Sequence, residues 1–170
     1  KVSFNGDCET DPPSYKRAPL AQSINAKGLN LIKRFEGFYP NFYTDPVGIK
    51  TIGYGHACHV NDCNNLIARN AAGATRKVKA PLSEADATDL LRNDLVNKGY
   101  EACVRNNVKR GINDNQFSAL VSFTFNVGCG GFSSSTLLKR VNANAPVEGA
   151  SGIRDAFLMW VKGGGKTLPG

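Results

Sequence analysis

At Gly37 the character of the chain changes. In INAKGLNLIKRFEG, residues 24–37, the apolar positions Ile24, Leu31, Ile32 and Phe35 recur at helical spacing. Asn25 or Ser23 can cap the start, and Gly37 suits the left-handed residue that ends a helix. Glu36 therefore falls at the last helical position. Beyond it come aromatic and β-branched residues broken by Asp45-Pro46-Val47-Gly48, which is turn chemistry between two short strands, so 38–56 reads as a small antiparallel sheet. Residues 57–81 are polar, with no clear period, and read as a surface loop. Ser83-Glu84-Ala85-Asp86 then opens a long helix with a near capping box, and Ala87, Leu90, Leu91, Leu95 and Ala102 carry it to about Val104. Further helical stretches follow over 114–127, 135–142 and 153–161. This succession predicts an α+β fold, mostly helical, with the small sheet near the N-terminus and no internal repeat. Residues 1–22 carry Asp11-Pro12-Pro13-Ser14 and Pro19 with little periodicity and read as an extended arm on a domain formed by 23–170.

At 170 residues and 41% hydrophobic content the chain can bury one substantial core, arranged in two lobes around a cleft. No run approaches the ~18 consecutive apolar residues of a membrane span, so no membrane insertion is expected. Lys1-Val2-Ser3-Phe4 does not begin a signal peptide, and the expectation is that any such peptide has been removed. Lys plus Arg exceed Asp plus Glu by 21 to 14, a net charge of +7, which favours polyanions through a long-range field. The basic residues are scattered rather than interleaved with aromatics, which argues for a solvated surface and against a nucleic-acid channel. Five cysteines, Cys8, Cys58, Cys63, Cys103 and Cys129, suggest a secreted, disulfide-bearing protein, and the odd number leaves one without a partner inside the sequence.

Two carboxyl groups facing one cleft can divide acid and base labour when one sits in an apolar setting and the other in a polar one. Glu36, at a helix end between Phe35 and Phe38, suits the first role, and Asp45, on a polar turn beside Pro46, suits the second. A glycosidase needs such a pair on opposite sides of the scissile bond, and a hydroxyl such as that of Thr51 can help hold the attacking water. Gly53 and Gly55 carry no side chain, which lets a sugar ring approach the backbone. A rival lies in HACHVNDC, where His56, Cys58, His59 and Cys63 are four zinc-type ligands within eight residues. The spacing disfavours it, because structural zinc sites usually separate their ligand pairs by a longer loop. Cys58 and Cys63, five apart, can instead close a small disulfide. No metal and no cofactor is expected.

The phrases FEGF, TD and GIKTIGYGH, with NDNQFSALVSFTFNVGCGGFSSSTLLKRVN and GGGKTLPG later in the same order, resemble the phage-type lysozymes, glycoside hydrolase family 24, from about Ile24 to Gly170. The resemblance implies a lysozyme-like fold, a helical lobe and a sheet lobe around a cleft. It implies a muramidase hydrolysing the β-1,4 bond between N-acetylmuramic acid and N-acetylglucosamine in bacterial peptidoglycan with inversion, acting as a secreted, extracellular monomer. The spacing of nine and six from Glu36 to Asp45 to Thr51 fits the family's triad, with the glutamate as general acid and the other two positioning water. It further implies that Asp94 holds His56 as a structural support, and that Gly55, Phe125 and Asn126 line the saccharide cleft. A bare reading makes Phe125 a core residue and Asn126 a helix cap. Cys103 is expected to pair with Cys129, joining two helices that the family packs together, besides Cys58 with Cys63. The resemblance also suggests secreted fungal members, which are similarly rich in cysteine. In the family GGGKTLPG leads into a basic helix, so a missing C-terminal helix and a sixth cysteine paired with Cys8 are expected. The competing functions are a lytic transglycosylase cutting the same bond and a non-catalytic cell-wall-binding module.

Overall fold

The computed structural model describes residues 22–59 and 62–163. Helix α1 (Ala26–Glu36) begins where the Asn25 side chain accepts the Gly28 N–H at 3.0 Å and ends at Gly37 (φ 77°). It is seated on α4 (Asp114–Ser133) by close approach, since a Cβ at Gly28 would lie 2.7 Å from Ser118 Cβ. Asn25 N–H donates to Ser118 Oγ at 2.9 Å and Ile24 N–H to the buried Glu101 carboxylate at 3.0 Å. Its buried face is Gly28, Leu29 and Ile32, whereas Leu31 and Phe35 are 38% and 37% exposed. The expected stripe is thus rotated towards Leu29, because the close contact at Gly28 decides which side of the helix faces α4. Phe35 in consequence does not wall Glu36 off from water, while Phe38 packs on Tyr54 with ring centroids 5.6 Å apart.

Strands β1 (Tyr39–Thr44), β2 (Lys50–Gly53) and β3 (His56–Ala57) form an antiparallel sheet in that order, with an irregularity in β1 between Tyr39 and Tyr43. The stretch read as a loop contains a second sheet, the hairpin β4 (Leu66–Arg69) and β5 (Thr75–Val78). Leu66 and Ala68 are buried and alternate with half-buried Ile67 and Arg69. The turn is built by Asn70, whose Oδ1 accepts the Ala72 and Ala74 N–H groups at 3.0 Å. Two four-residue strands are too short to show a period above the surrounding polar residues.

The long helix expected from Ser83 is two. Helix α2 (Glu84–Asn97) starts where Ser83 Oγ accepts the Asp86 N–H and stops at Gly99, left-handed at φ 79°, after which α3 (Tyr100–Asn107) sets off in a new direction. Helix α4 opens with a capping box between Asn113 and Gln116 and breaks at Gly128 (φ 79°, ψ 164°), so its regular part ends at Val127. Helices α5 (Thr136–Asn142), capped by Ser135, and α6 (Ile153–Gly163) complete the helical lobe. Helix α2 packs against β2, β3 and β4 on one side and α1 and α3 on the other, so it ties the lobes together. The core runs through it: Leu90, Leu91 and Leu95 of α2, Ile52 of β2, and Phe117, Val121 and Phe132 of α4. Phe157 of α6 closes on Phe123 edge-on, with ring centroids at 5.5 Å. Among the described residues no helix is long and apolar enough to cross a membrane.

Cys103 of α3 and Cys129, just past the Gly128 break, are joined by a disulfide with Cα atoms 5.8 Å apart. Replacing both by serine should lower unfolding free energy by about 3 kcal/mol, because the bridge closes a loop of 26 residues in the unfolded chain. Urea titration checks this, and a loss below about 1 kcal/mol would show that the helices hold without it. The bridge expected between Cys58 and Cys63 does not form. Cys58 is tied to β2 by its N–H, which donates to Lys50 C=O at 2.8 Å, whereas Cys63 lies on the 3₁₀ turn Asp62–Asn64. Nearness in sequence does not make two Cβ vectors converge. Cys8, residues 1–21 and the GGGKTLPG end beyond 163 lie outside the described residues.

Candidate active site

Glu36 is the last residue of α1, half-buried, and burial pushes its carboxyl above the ordinary glutamate range. Its carboxyl lies against Gly55, in the turn between β2 and β3. A Cβ built there would lie 2.5 Å from Glu36 Oε1 and 3.2 Å from Cδ. At φ 80° the residue also occupies the left-handed region that favours glycine. Gly55 thus meets the glutamate, and Gly53 faces the core, with Leu82, Ala87 and Leu90 around the place of its absent Cβ. Gly55→Ala should therefore displace the carboxyl and lower kcat by about 100-fold with a far smaller change in KM, since a misplacement near 1 Å can have that effect. Steady-state kinetics on a soluble wall fragment checks it.

Asp45 and Thr51 are both held by Ile49. Asp45 Oδ1 accepts the Ile49 N–H at 2.8 Å and the Val47 N–H at 3.0 Å. The Ile49 carbonyl accepts both the Asp45 N–H at 2.9 Å and the buried Thr51 hydroxyl at 3.0 Å. With one Asp45 oxygen saturated and the Thr51 proton spent on a carbonyl, the second Asp45 oxygen and the Thr51 lone pairs remain as acceptors. Two acceptors are what a water needs to be held by its hydrogens with a lone pair facing outward. Tyr43 stands opposite Thr51 in the β1–β2 register. Its phenol is pushed up first by burial and then by the negative charges of Tyr39, Glu36 and Asp45, so both carboxyl groups act on one ring. Its ring stacks on that of Tyr39 at 4.1 Å. The sequence reading passed over Tyr43, although the aromatic run before Asp45 was its signal.

His56 lies on β3 with Nδ1 2.9 and 3.0 Å from the two Asp94 oxygens, so Nδ1 carries the proton. Both groups are buried, and among the described residues His56 Nε2 has no hydrogen-bond partner. His56 is thereby turned into the base of the sheet, and among the described residues no three His, Cys, Asp or Glu side chains are grouped to hold a metal ion. Asp94 and burial together push up the Tyr100 phenol, and the Tyr100 ring meets Phe125 edge-on at 5.5 Å. Phe125 is half-buried against the core. Asn126 is exposed and caps nothing: its Nδ2 donates to Ser122 C=O at 3.2 Å, within a helix that continues past it.

The phage lysozyme family matches the chain over residues 33–170. The chain belongs to that family. The endolysin of Salmonella phage P22 is 34% identical to this lysozyme over 141 residues, which are 83% of this chain and 85% of that protein. The endolysin of Bacillus phage PZA is 35% identical over 150 residues, 86% of this chain but 50% of that protein, so the chain spans half the length of the Bacillus relative. Among solved structures, a variant of P22 lysozyme superposes with a TM-score of 0.62 at 29% identity, covering 85% of this chain and 88% of that one. The muramidase domain of SpmX from Asticaccaulis excentricus does so with a TM-score of 0.54 at 35% identity, covering 72% and 71%. The lysozyme-like α+β architecture and the class of glycoside hydrolase follow from these likenesses.

Proposed function

We propose that this lysozyme cleaves the β-1,4 bond between N-acetylmuramic acid and N-acetylglucosamine in bacterial peptidoglycan by direct displacement with inversion. Glu36 is the general acid, and Asp45 and Thr51 seat the attacking water. The observation that carries this reading is the pairing of unlike settings around Tyr43, a carboxyl raised by burial on one side and an acceptor pair fixed to Ile49 on the other. Peptidoglycan occupies the cleft, the Glu36 proton passes to the glycosidic oxygen, and the water attacks the anomeric carbon from the opposite face. Asp45 takes up the proton that the water loses. Gly55 keeps room for the Glu36 carboxyl, and Phe125 and Asn126, at the end of the regular part of α4, face the saccharide. The three reacting groups come from residues 36–51 of one chain, which supports a monomer as the working unit.

The Cys103–Cys129 bridge supports export to an oxidising environment, and on cysteine content we place the protein with the secreted fungal members of its family. Its partner is the wall polymer, with neither nucleic acid nor membrane insertion involved. A lytic transglycosylase would release an anhydro sugar, lighter than the hydrolytic product by one water. Mass spectrometry and proton NMR of freshly released fragments decide. A hydrated reducing end that appears first as the α anomer is expected. An anhydro product would overturn hydrolysis, a β anomer would overturn inversion, and the absence of any released fragment would leave a wall-binding module.

A further inference from the structure

A cavity of about 230 Å³ lies between the β4–β5 turn, α2, α3 and Ser23, and its lining includes Arg69, Arg92 and Arg105 beside one carboxylate, Glu101. None of these residues belongs to the group around Glu36, Asp45 and Thr51. The carboxylate is already engaged: Glu101 is 2% exposed, accepts the Ile24 N–H at 3.0 Å and faces Arg105 at 3.6 Å. Two of the guanidinium groups are partly committed as well. Arg69 donates to Asn93 Oδ1 at 3.1 Å and Gly73 C=O at 3.2 Å, and Arg105 donates to Gln22 C=O at 2.7 Å. Arg92 is different. Among the described residues its buried Nε has no hydrogen-bond partner, and its ion-pair partner, Asp89 Oδ1, stands 3.7 Å away, beyond hydrogen-bonding reach. Asp89 is in turn bonded by Arg76 at 2.8 Å.

We infer that this cavity is an anion site for a phosphate group, with Arg92 as its principal donor. Three guanidinium groups stand against Glu101 and against Asp89, the ion-pair partner of Arg92, which leaves an excess of positive charge suited to an anion. A carboxylate is satisfied by one bidentate arginine, whereas donors arriving from a strand end and two helices suit an anion with three or four acceptor oxygens. The Asn70 amide adds a neutral donor, because its Oδ1 is spent on the Ala72 and Ala74 N–H groups. The same chemistry comes from free phosphate or from a phosphodiester polymer carried on a bacterial wall. The second source rests on the proposed wall substrate, whereas the site itself does not.

The test begins with titration of the full chain by inorganic phosphate at constant ionic strength, with chloride as control, followed through the arginine Nε–H resonances. Wild type should show saturable binding with the largest shift at Arg92, and Arg92→Gln should weaken the affinity by about tenfold or more, with Arg92→Lys between the two. Phosphate acting no better than chloride, or a shift confined to other arginines, would overturn the site without any variant needing to fold. Equal affinity in wild type and Arg92→Gln would overturn it too. A second measurement uses Glu36→Gln protein, with and without Arg92→Gln, on walls bearing a phosphodiester polymer and on the same walls stripped of it by cold acid. Arg92-dependent retention on the unstripped walls alone supports the polymer as source. Equal retention on both, with phosphate still bound in the titration, keeps the site and assigns it to free phosphate.

Discussion

Glu36→Gln should lower hydrolysis of peptidoglycan by about 10²–10⁴-fold while leaving the fold intact, because the amide fills the same space beside Gly55 but has no proton to transfer. Loss of turbidity of a wall suspension measures the effect, and retained lysis near the wild-type rate would remove the glutamate from its role. The same substitution carries a stability signature. Burial raises the folded-state pKa of Glu36 above its unfolded value, so the folded state disfavours the charged form. In acid, below the ordinary glutamate range, both states are protonated and the variant and wild type should melt alike. As pH rises through that range towards the raised folded value, wild type should lose stability relative to Glu36→Gln. The alkaline limb of kcat/KM should likewise lie above the ordinary glutamate range, since the acid works only while protonated. A limb at ordinary glutamate pH would mean that burial does not raise the proton affinity of Glu36 in the free enzyme.

Asp45→Asn should be nearly as severe, about 10²-fold or more in kcat with KM little altered. The substitution is conservative for the turn: the amide oxygen can still accept the Ile49 and Val47 N–H groups. What changes is the other atom, which becomes an NH₂ that donates. A water between that donor and Thr51 turns its lone pair towards the amide and away from the sugar, and no base remains to take its proton. Circular dichroism should be unchanged, which separates this outcome from collapse of the turn. A kcat within a few-fold of wild type would place the water elsewhere.

Much of the site was legible because it is local. Asn25 to Gly37 reads as capped helix, terminal acid and helix end, and Asp45 to Gly48 as a turn, each set by neighbours a few residues away. The Asp94 contact with His56 was reachable through family likeness, although 38 residues separate the pair. What escaped depends on approach between distant elements. The outward position of Leu31 and Phe35 follows from Gly28 meeting Ser118, a contact across 90 residues that no helical period contains. The β4–β5 hairpin hides in polar sequence because only Leu66 and Ala68 of its first strand are buried. Gly99 divides α2 from α3 inside an unbroken-looking helical pattern. Arg69, Arg92 and Arg105 are 23 and 13 residues apart and read as unrelated surface charges until the fold brings them to one cavity.

The Ile49 carbonyl, which accepts both the Thr51 hydroxyl and the Asp45 N–H, has a mechanical corollary. Two residues anchored on one carbonyl oxygen move together, so their separation stays nearly constant. Glu36 rides on α1, a different body, seated on α4. Breathing of the cleft on the microsecond to millisecond scale is therefore concentrated in one coordinate, the gap across which the polymer must fit. On the proposed mechanism, a glycan strand entering that gap would meet a water seat of fixed shape and an acid whose distance it adjusts, so that the strand itself would act as the gauge that sets the reacting geometry.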